Sequence, residues 1–229
     1  MAVFGIFVDF VCLVFCFVKH VQQKIEMEII GRYFPNLTQS QKSKFISACA
    51  LYSAWNEKIN LISRKDIPHL ETRHFLHSAA IANFADFKKD NKVLDIGTGG
   101  GFPGVVLAIL YPDVHFHLVD SIGKKIKVVE DIKQKLDLEN ITASHGRVES
   151  LANEYHFAVT RAVAPLDVLV KWTKTNIKYK LYALKGGDLQ GEIDTLSNKH
   201  PEIRVKSYKL KASFKESFFE TKKLLEVVF

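Results

Sequence analysis

Short apolar runs alternate with longer amphipathic segments through the central part of the chain. The runs predict buried strands, because a strand covered on both faces lacks the polar alternation of a half-exposed one. The predicted strands lie at 93–96, 114–119, 140–144, 157–160 and 182–184. The segments between them predict helices, since their apolar residues recur every three or four positions. This order of elements indicates an α/β fold with a mainly parallel sheet and right-handed crossovers.

The C-terminal part of the chain departs from this alternation. Segments 204–211 and 222–229 have the pattern of an antiparallel strand pair. Residues 91–229 are therefore predicted to form one α/β domain whose mainly parallel sheet is closed by an antiparallel pair.

Residues 27–90 carry only helical patterns and are predicted to form an N-terminal helical subdomain. Thr38 and Gln41 fit a capping box, and Pro68 is expected to open a second helix. The turn at Asp90–Asn91 marks the boundary with the α/β domain. The basic and histidine side chains of this subdomain, interpreted as a solvated face, are Arg64, Lys65, Arg73, His74 and His77.

Residues 1–26 form an apolar N-terminal extension, with Asp9 inside the run Ala2–Val18. A signal peptide is disfavoured because the stretch lacks a basic start and a small-residue cleavage site. A transmembrane helix needs about 20 apolar residues, and an aspartate near its centre costs about 2.5–3.5 kcal/mol. We favour a translation start assigned too far upstream, with Met27 as the initiator. A membrane anchor is the alternative that the sequence leaves open.

The charged residues give the 229-residue chain a formal net charge of +7. A basic surface suits a polyanionic partner, although excess charge also serves solubility alone. The three cysteines, Cys12, Cys16 and Cys49, lack metal-ligand spacing. We therefore predict no metal site and no disulfide framework, as is usual in a reducing cytosol.

A glycine-rich turn with Gly97, Gly99 and Gly101 follows the first predicted strand. Without Cβ atoms these residues let the backbone turn sharply and approach a ligand closely. A dinucleotide-binding fingerprint counted from Gly97 fails, because Phe102 stands where the third glycine belongs. Asp95, near the end of the strand, suits a ligand with an ammonium group and no pyrophosphate. The loop therefore modestly favours S-adenosylmethionine over NAD.

Ligands of open parallel sheets lie beyond the carboxyl ends of the strands, where several more residues are expected. Asp120 ends the second strand, a position from which acidic residues commonly bind ribose hydroxyls, and Ser121 is predicted to cap the next helix. Val148 and Glu149 follow the third strand, where one can pack on an adenine ring and the other can accept from its amino group. Arg161 ends the fourth strand, near the expected methyl donor.

Motifs with this order and spacing occur together in one known family. They are Leu-Asp-Ile-Gly-Thr-Gly-Gly-Gly-Phe-Pro-Gly at 94–104, Leu-Val-Asp-Ser-Ile-Gly-Lys-Lys at 118–125, Gly-Arg-Val-Glu at 146–149, Thr-Arg-Ala-Val-Ala at 160–164 and Tyr-Ala-Leu-Lys-Gly at 182–186, with Trp-Asn-Glu-Lys-Ile-Asn-Leu-Ile-Ser at 55–63 and Arg-His-Phe-Leu-His-Ser at 73–78 upstream. From Met27 to its end the chain resembles the RsmG family, formerly called glucose-inhibited division protein B.

The resemblance implies a class I Rossmann-like methyltransferase that transfers a methyl group from S-adenosylmethionine to N7 of a guanine in 16S ribosomal RNA. The implied partner is 16S ribosomal RNA or the small ribosomal subunit, in the cytoplasm. The resemblance also implies cofactor-binding roles: Gly97 and Phe102 at the methionine end, Asp120 and Ser121 at the ribose and adenine side, Val148 and Glu149 around the adenine, and Arg161 near the reactive centre.

Guanine N7 has an unshared in-plane electron pair and carries no proton at neutral pH, so we predict no catalytic acid or base. What the protein must supply is positioning of N7 in line with the S–CH3 bond. Candidates for contacting phosphate or the O6/N7 edge are Arg161, Lys185, Arg147, Lys124 and Lys125.

Two other functions compete with methyl transfer. An NAD(P)-dependent oxidoreductase requires a full dinucleotide fingerprint, which Phe102 interrupts. A non-catalytic RNA-binding module predicts a damaged cofactor loop, yet the glycines, Asp120 and Glu149 are all present.

Overall fold

A seven-stranded sheet forms the centre of residues 28–229, which the computed structural model describes. The strands are β1 Lys92–Ile96, β2 His115–Asp120, β3 Ile141–His145, β4 Tyr155–Arg161, β5 Ile177–Gly186, β6 Arg204–Lys209 and β7 Lys222–Val228. Their spatial order is β3-β2-β1-β4-β5-β7-β6. The first five strands pair in parallel, whereas β7 pairs antiparallel with both β5 and β6. The predicted fold class is confirmed.

Helices cover both faces of this sheet. They are α1 Glu28–Tyr33, α2 Gln39–Lys58, α3 His77–Ala79, α4 Gly104–Leu110, α5 Gly123–Lys135, α6 Leu166–Thr173 and α7 Gln190–Lys199. The capping box predicted for α2 is confirmed. Thr38 Oγ1 accepts from the backbone N–H of Gln41 at 3.2 Å, and Gln41 Oε1 accepts from that of Thr38 at 2.9 Å.

The helix predicted to open at Pro68 is a helical segment of varying pitch. It runs from a 3₁₀ turn at Ile67–His69 through a π-helical stretch at Glu71–Leu76 to α3 and a second 3₁₀ turn at Ala80–Asn83. Because each change of pitch rotates the following side chains, the residues that face inward do not follow a regular 3.6-residue period.

The cap predicted at Ser121 is wrong. Helix α5 begins at Gly123 with Ile122 in the N-cap position, and no side chain makes a capping hydrogen bond there. Instead Asp120 Oδ1 accepts from the backbone N–H of Ile122 at 2.8 Å. The Asp120 carboxylate, and not the Ser121 hydroxyl, therefore accepts the backbone N–H just before α5. Ser121 is exposed.

Two apolar clusters form the core, one on each face of the sheet. Phe45 and Phe75, from the N-terminal helical region, pack in one cluster with Val105 and Phe116. Residues such as Leu94 form the other cluster with α6 and α7. Successive residues of β1 point to opposite faces, so both sides of this central strand are buried. The domain boundary at residue 90 stays a prediction.

No helix within residues 28–229 is long and apolar enough to cross a membrane. In the same part of the chain no group of three or more His, Cys, Asp and Glu side chains is placed to hold a metal ion. The predictions for the apolar extension 1–26, for initiation at Met27 and for Cys12 and Cys16 concern residues outside the described range.

Candidate active site

Two joined cavities open at the carboxyl edge of the sheet, where the strand order reverses between β1 and β4. Such a topological switch point is where open α/β sheets bind their ligands. The smaller cavity, about 100 Å³, lies between the ends of β1 and β2 and the turn after β3. The larger, about 420 Å³, extends over the glycine loop toward the N-terminal helices. Gly97, Asp120, Ser121 and Val163 line both cavities.

The structure brings all seven predicted cofactor-binding residues to these cavities. Their positions are Gly97, Asp120 and Ser121 at the junction, Val148 and Glu149 in the smaller cavity, and Phe102 and Arg161 in the larger one. Their individual binding roles stay predictions.

The basic candidates are placed less uniformly. Arg147 lines the smaller cavity and Lys125 the larger one, whereas Lys124 is exposed beside them.

The prediction for Lys185 is corrected. Its ammonium group is buried, 2.8 Å from a carboxylate oxygen of Glu192 and 2.7 Å from the carbonyl oxygen of Ala164. It lines neither cavity, because the ion pair holds it between β5 and α7.

Gly97 has a backbone conformation and a neighbour that exclude a side chain. Its φ is +63°, in the left-handed region. A Cβ atom there would lie 2.7 Å from Cγ2 of Val163, far inside van der Waals contact. The backbone N–H of Thr98 donates to the carbonyl of Val119 at 3.0 Å, which ties the turn to β2. The bare backbone of Gly97 therefore forms the floor of the junction between the cavities.

The Asp95 carboxylate forms hydrogen bonds that hold the glycine loop to the end of β1. Its Oδ2 accepts from Thr98 Oγ1 at 2.6 Å and from the backbone N–H of Gly104 at 2.8 Å. The side chain is fully buried and lines neither cavity, so the expectation that it faces a ligand ammonium group is corrected. Burial, only partly offset by these two hydrogen bonds, raises the pKa of Asp95 to about 7.

The Asp120 carboxylate is oriented by two backbone donors. Gly99 N–H donates to Oδ2 and Ile122 N–H donates to Oδ1, each at 2.8 Å. A carboxylate oxygen can accept more than one hydrogen bond, so each retains capacity for a ligand hydroxyl. The residue is 7% exposed and lines both cavities. Its carboxylate is therefore held in one orientation at their junction.

Arg161 is held firmly in the wall of the larger cavity. Its guanidinium carbon lies 4.9 Å from the ring centroid of Phe102, and Phe102 in turn stacks on Tyr52 with centroids 4.5 Å apart. Nη2 lies 3.0 Å from Nδ1 of His74, and Nη1 donates to the carbonyl of Arg73 at 3.4 Å. Burial lowers the pKa of Arg161 to about 10, so the side chain stays charged at neutral pH.

Several residues of the site were missed from the sequence. His74, interpreted as part of a solvated face, is half-buried and lines the larger cavity. Burial, reinforced by the charge of Arg161, lowers its pKa to about 3. Ile122 and Val163 line the same cavity with 47% and 39% of their surface exposed. The motif at 73–78 was a signal for His74, whereas the two apolar residues lie in turns with no periodic pattern.

Removal of the Asp95 charge is expected to change how stability depends on pH. At pH values between the ordinary pKa of 3.8 and the folded-state pKa of about 7, Asp95 binds a proton when the protein folds. The contribution of this carboxyl group to stability therefore falls as pH rises through that range. From pH 5 to pH 8 the wild type should lose at least about 3 °C in Tm relative to Asp95→Asn.

The comparison uses Tm values of both proteins at several pH values, because all other groups titrate in both and cancel in the difference. Asp113→Asn, which alters an exposed turn carboxylate, is the control and should follow the wild type. A constant difference between the wild type and Asp95→Asn would contradict the raised pKa.

Solved structures show which fold the chain shares. A methyltransferase dependent on S-adenosylmethionine from Aquifex aeolicus superposes with a TM-score of 0.53 at 14% identity, covering 69% of this chain and 92% of that one. Fibrillarin from Aeropyrum pernix, crystallised with bound S-adenosyl-L-methionine, gives a TM-score of 0.53 at 14% identity over 68% and 75%. The chain thus has the Rossmann-like fold of these methyltransferases.

The sequence is similar to proteins of one family. A family model described as GidB, rRNA small subunit methyltransferase G, matches residues 41–219. Ribosomal RNA small subunit methyltransferase G of Phocaeicola vulgatus is 47% identical over 209 residues, 88% of this chain and 98% of that protein. The protein of the same name from Bacteroides thetaiotaomicron is 47% identical over 207 residues, 87% and 98%. The chain belongs to this family, and the resemblance found in its motifs is confirmed.

Proposed function

We propose that the chain transfers a methyl group from S-adenosylmethionine to N7 of a guanine in the 16S ribosomal RNA of the small subunit. One observation carries the proposal: in a chain of this family, all seven residues expected at the cofactor line two joined cavities at the switch point of the sheet. The family description, rRNA small subunit methyltransferase G, supports the class of substrate. The proposal implies a cytoplasmic location.

The residues at the cavities fit this cofactor. Val148 and Glu149 give the smaller cavity an apolar wall and an exposed carboxylate, which suit the ring and the amino group of adenine. Asp120, preoriented by two backbone donors, would accept from the ribose hydroxyls. Because Gly97 has no side chain, its bare backbone leaves room for the cofactor to extend from the smaller cavity into the larger one. When bound, the cofactor supplies an electrophilic methyl group on a sulfonium.

Positioning is the chemistry left to the protein. N7 of guanine attacks with its own lone pair, so no group has to remove a proton first. The larger cavity has an apolar side, with Ile122 and Val163, and a polar side, with His74 and Arg161. Apolar side chains can pack on the faces of a base while polar groups bind its edge. Holding the base in a near-attack geometry supplies a large part of such a rate enhancement.

The basic residues beside the cavities are expected to bind RNA phosphates. Lys124→Ala combined with Lys125→Ala should weaken RNA binding about tenfold or more at low salt, because two phosphate contacts are lost. The slope of log K against log salt should fall by about 1.5, with cofactor affinity nearly unchanged. The measurement is RNA binding at several salt concentrations.

Lys88→Ala combined with Lys89→Ala is the matched control. It removes the same charge from exposed positions just before β1, at the opposite edge of the sheet. If both pairs weaken binding equally, the RNA surface is not centred on the cavities.

A purified-protein experiment tests the proposed function against its alternatives. Calorimetric titration should give saturable binding of S-adenosylmethionine and none of NAD. Incubation with small-subunit RNA or particles and methyl-labelled S-adenosylmethionine should give labelled N7-methylguanine in the RNA digest. Binding of NAD would favour the oxidoreductase, and RNA binding without methyl transfer would favour the non-catalytic module. Either outcome contradicts the proposal.

A further inference from the structure

The hydrogen bond between His74 and Arg161 determines which nitrogen of the imidazole carries the proton. Arg161 Nη2 lies 3.0 Å from His74 Nδ1. A guanidinium group has five N–H donors and no acceptor, so Nδ1 must accept. The neutral ring therefore carries its hydrogen on Nε2, and that nitrogen is a donor.

His74, which carries this Nε2–H, lines the larger cavity. Among residues 28–229 the Nε2–H has no hydrogen-bond partner. The neighbouring His77 Nε2 is a buried polar atom without a partner, but His74 Nε2 is not among the buried atoms of that kind. His74 is half-buried and, of the two cavities, lines only the larger one, so we infer that its free donor serves that cavity and not the predicted adenine site.

His74 also stays neutral at working pH. Burial, reinforced by the Arg161 charge, lowers its pKa to about 3. A neutral donor adds no positive charge next to a sulfonium or to the methylated base, which carries a positive charge after transfer. The Nε2–H of His74 can therefore donate a hydrogen bond without adding positive charge beside the cationic cofactor or the cationic product.

We propose that His74 selects guanine by donating its Nε2–H to O6 of the target base, with Arg161 as the positioning residue that fixes the tautomer; this inference rests on the proposed function. Guanine presents the acceptors O6 and N7 along this edge, whereas adenine presents an amino donor in place of O6. A donor to O6 therefore favours guanine and rejects adenine, and it leaves N7 free to react.

The test measures methyl transfer to RNA made with guanine or with 2-aminopurine at the position that the wild type methylates. 2-Aminopurine keeps N7 and lacks O6. On guanine, His74→Phe should lower kcat/KM about 10- to 100-fold, because O6 loses its donor. On 2-aminopurine the same substitution should change kcat/KM less than about threefold, since there is no O6 to bind.

His74→Gln separates the donor from the ring. Its amide can accept from Arg161 and still donate into the cavity, so it should recover part of the activity that His74→Phe loses on guanine. The Tm and the Kd for S-adenosylhomocysteine establish that each variant is folded and binds cofactor.

Two outcomes would overturn the inference, and they are distinguishable. An equal loss for His74→Phe on guanine and on 2-aminopurine means that His74 does not contact O6, while the proposed function stands. Absence of N7-methylguanine with the wild-type protein overturns the proposed function and this inference together.

Discussion

Gly97→Val is expected to abolish the rise in Tm that S-adenosylhomocysteine gives the wild-type protein. The wild type should be stabilised, because a ligand that binds only the folded state raises its melting temperature. At residue 97 the backbone φ is +63°, and even the first side-chain atom would lie 2.7 Å from Val163. Valine therefore has to displace Val163 or the loop, and either movement narrows the junction where the two cavities meet. The measurement is Tm against ligand concentration.

Two glycine variants serve as controls for this prediction. Gly99→Ala has a similar φ of +59°, but its Cβ would meet nothing within 4 Å, so it isolates backbone strain and should retain more of the ligand effect. Gly191→Ala places its Cβ in open space on α7, away from the site, and should keep the full effect. A full Tm shift in Gly97→Val would show that the ligand does not pass over this residue.

Asp120→Ala is expected to weaken cofactor binding at least about 100-fold. Hydrogen bonds to a charged group are worth about 1.5–3 kcal/mol each, and the carboxylate is expected to bind two ribose hydroxyls. Its removal also leaves the N–H groups of Gly99 and Ile122 without their acceptors, which loosens the loop and the start of α5. Calorimetric titration with S-adenosylhomocysteine gives the Kd.

Asp167→Ala is the control for the loss of a carboxylate. Asp167 pairs with Lys199 at 2.6 Å and lines neither cavity. Its substitution should leave the Kd within about twofold, because surface ion pairs contribute little. Wild-type affinity in Asp120→Ala would remove the carboxylate from the cofactor site.

The sheet and the position of the site could be predicted from the sequence because local patterns encode them. The apolar run before Gly97 specifies a buried strand, and parallel strands place their carboxyl ends at one edge. Residues such as Asp120 and Arg161 therefore fall at the cavities once the strands are placed in order.

The details that could not be predicted depend on competition between neighbouring groups. The chain before α5 offers both Ser121 and Asp120 as acceptors for backbone N–H groups, and only the fold shows that Asp120 accepts from Ile122 while no side chain caps the helix. Lys185 has the sequence position of a site residue, but the partner that buries it, Glu192, comes from a helix that periodicity does not orient. His74 reaches the cavity through a π-helical stretch that no 3.6-residue pattern anticipates.

The most direct test of methyl transfer to the small-subunit RNA is a map of N7-methylguanine in 16S ribosomal RNA from cells with and without the protein. We expect that one methylated guanine disappears when the gene is removed. It should return when the wild-type chain is supplied in trans, and should stay absent when Gly97→Val is supplied at the same level. An identical methylation map in cells with and without the protein would contradict methyl transfer to this RNA.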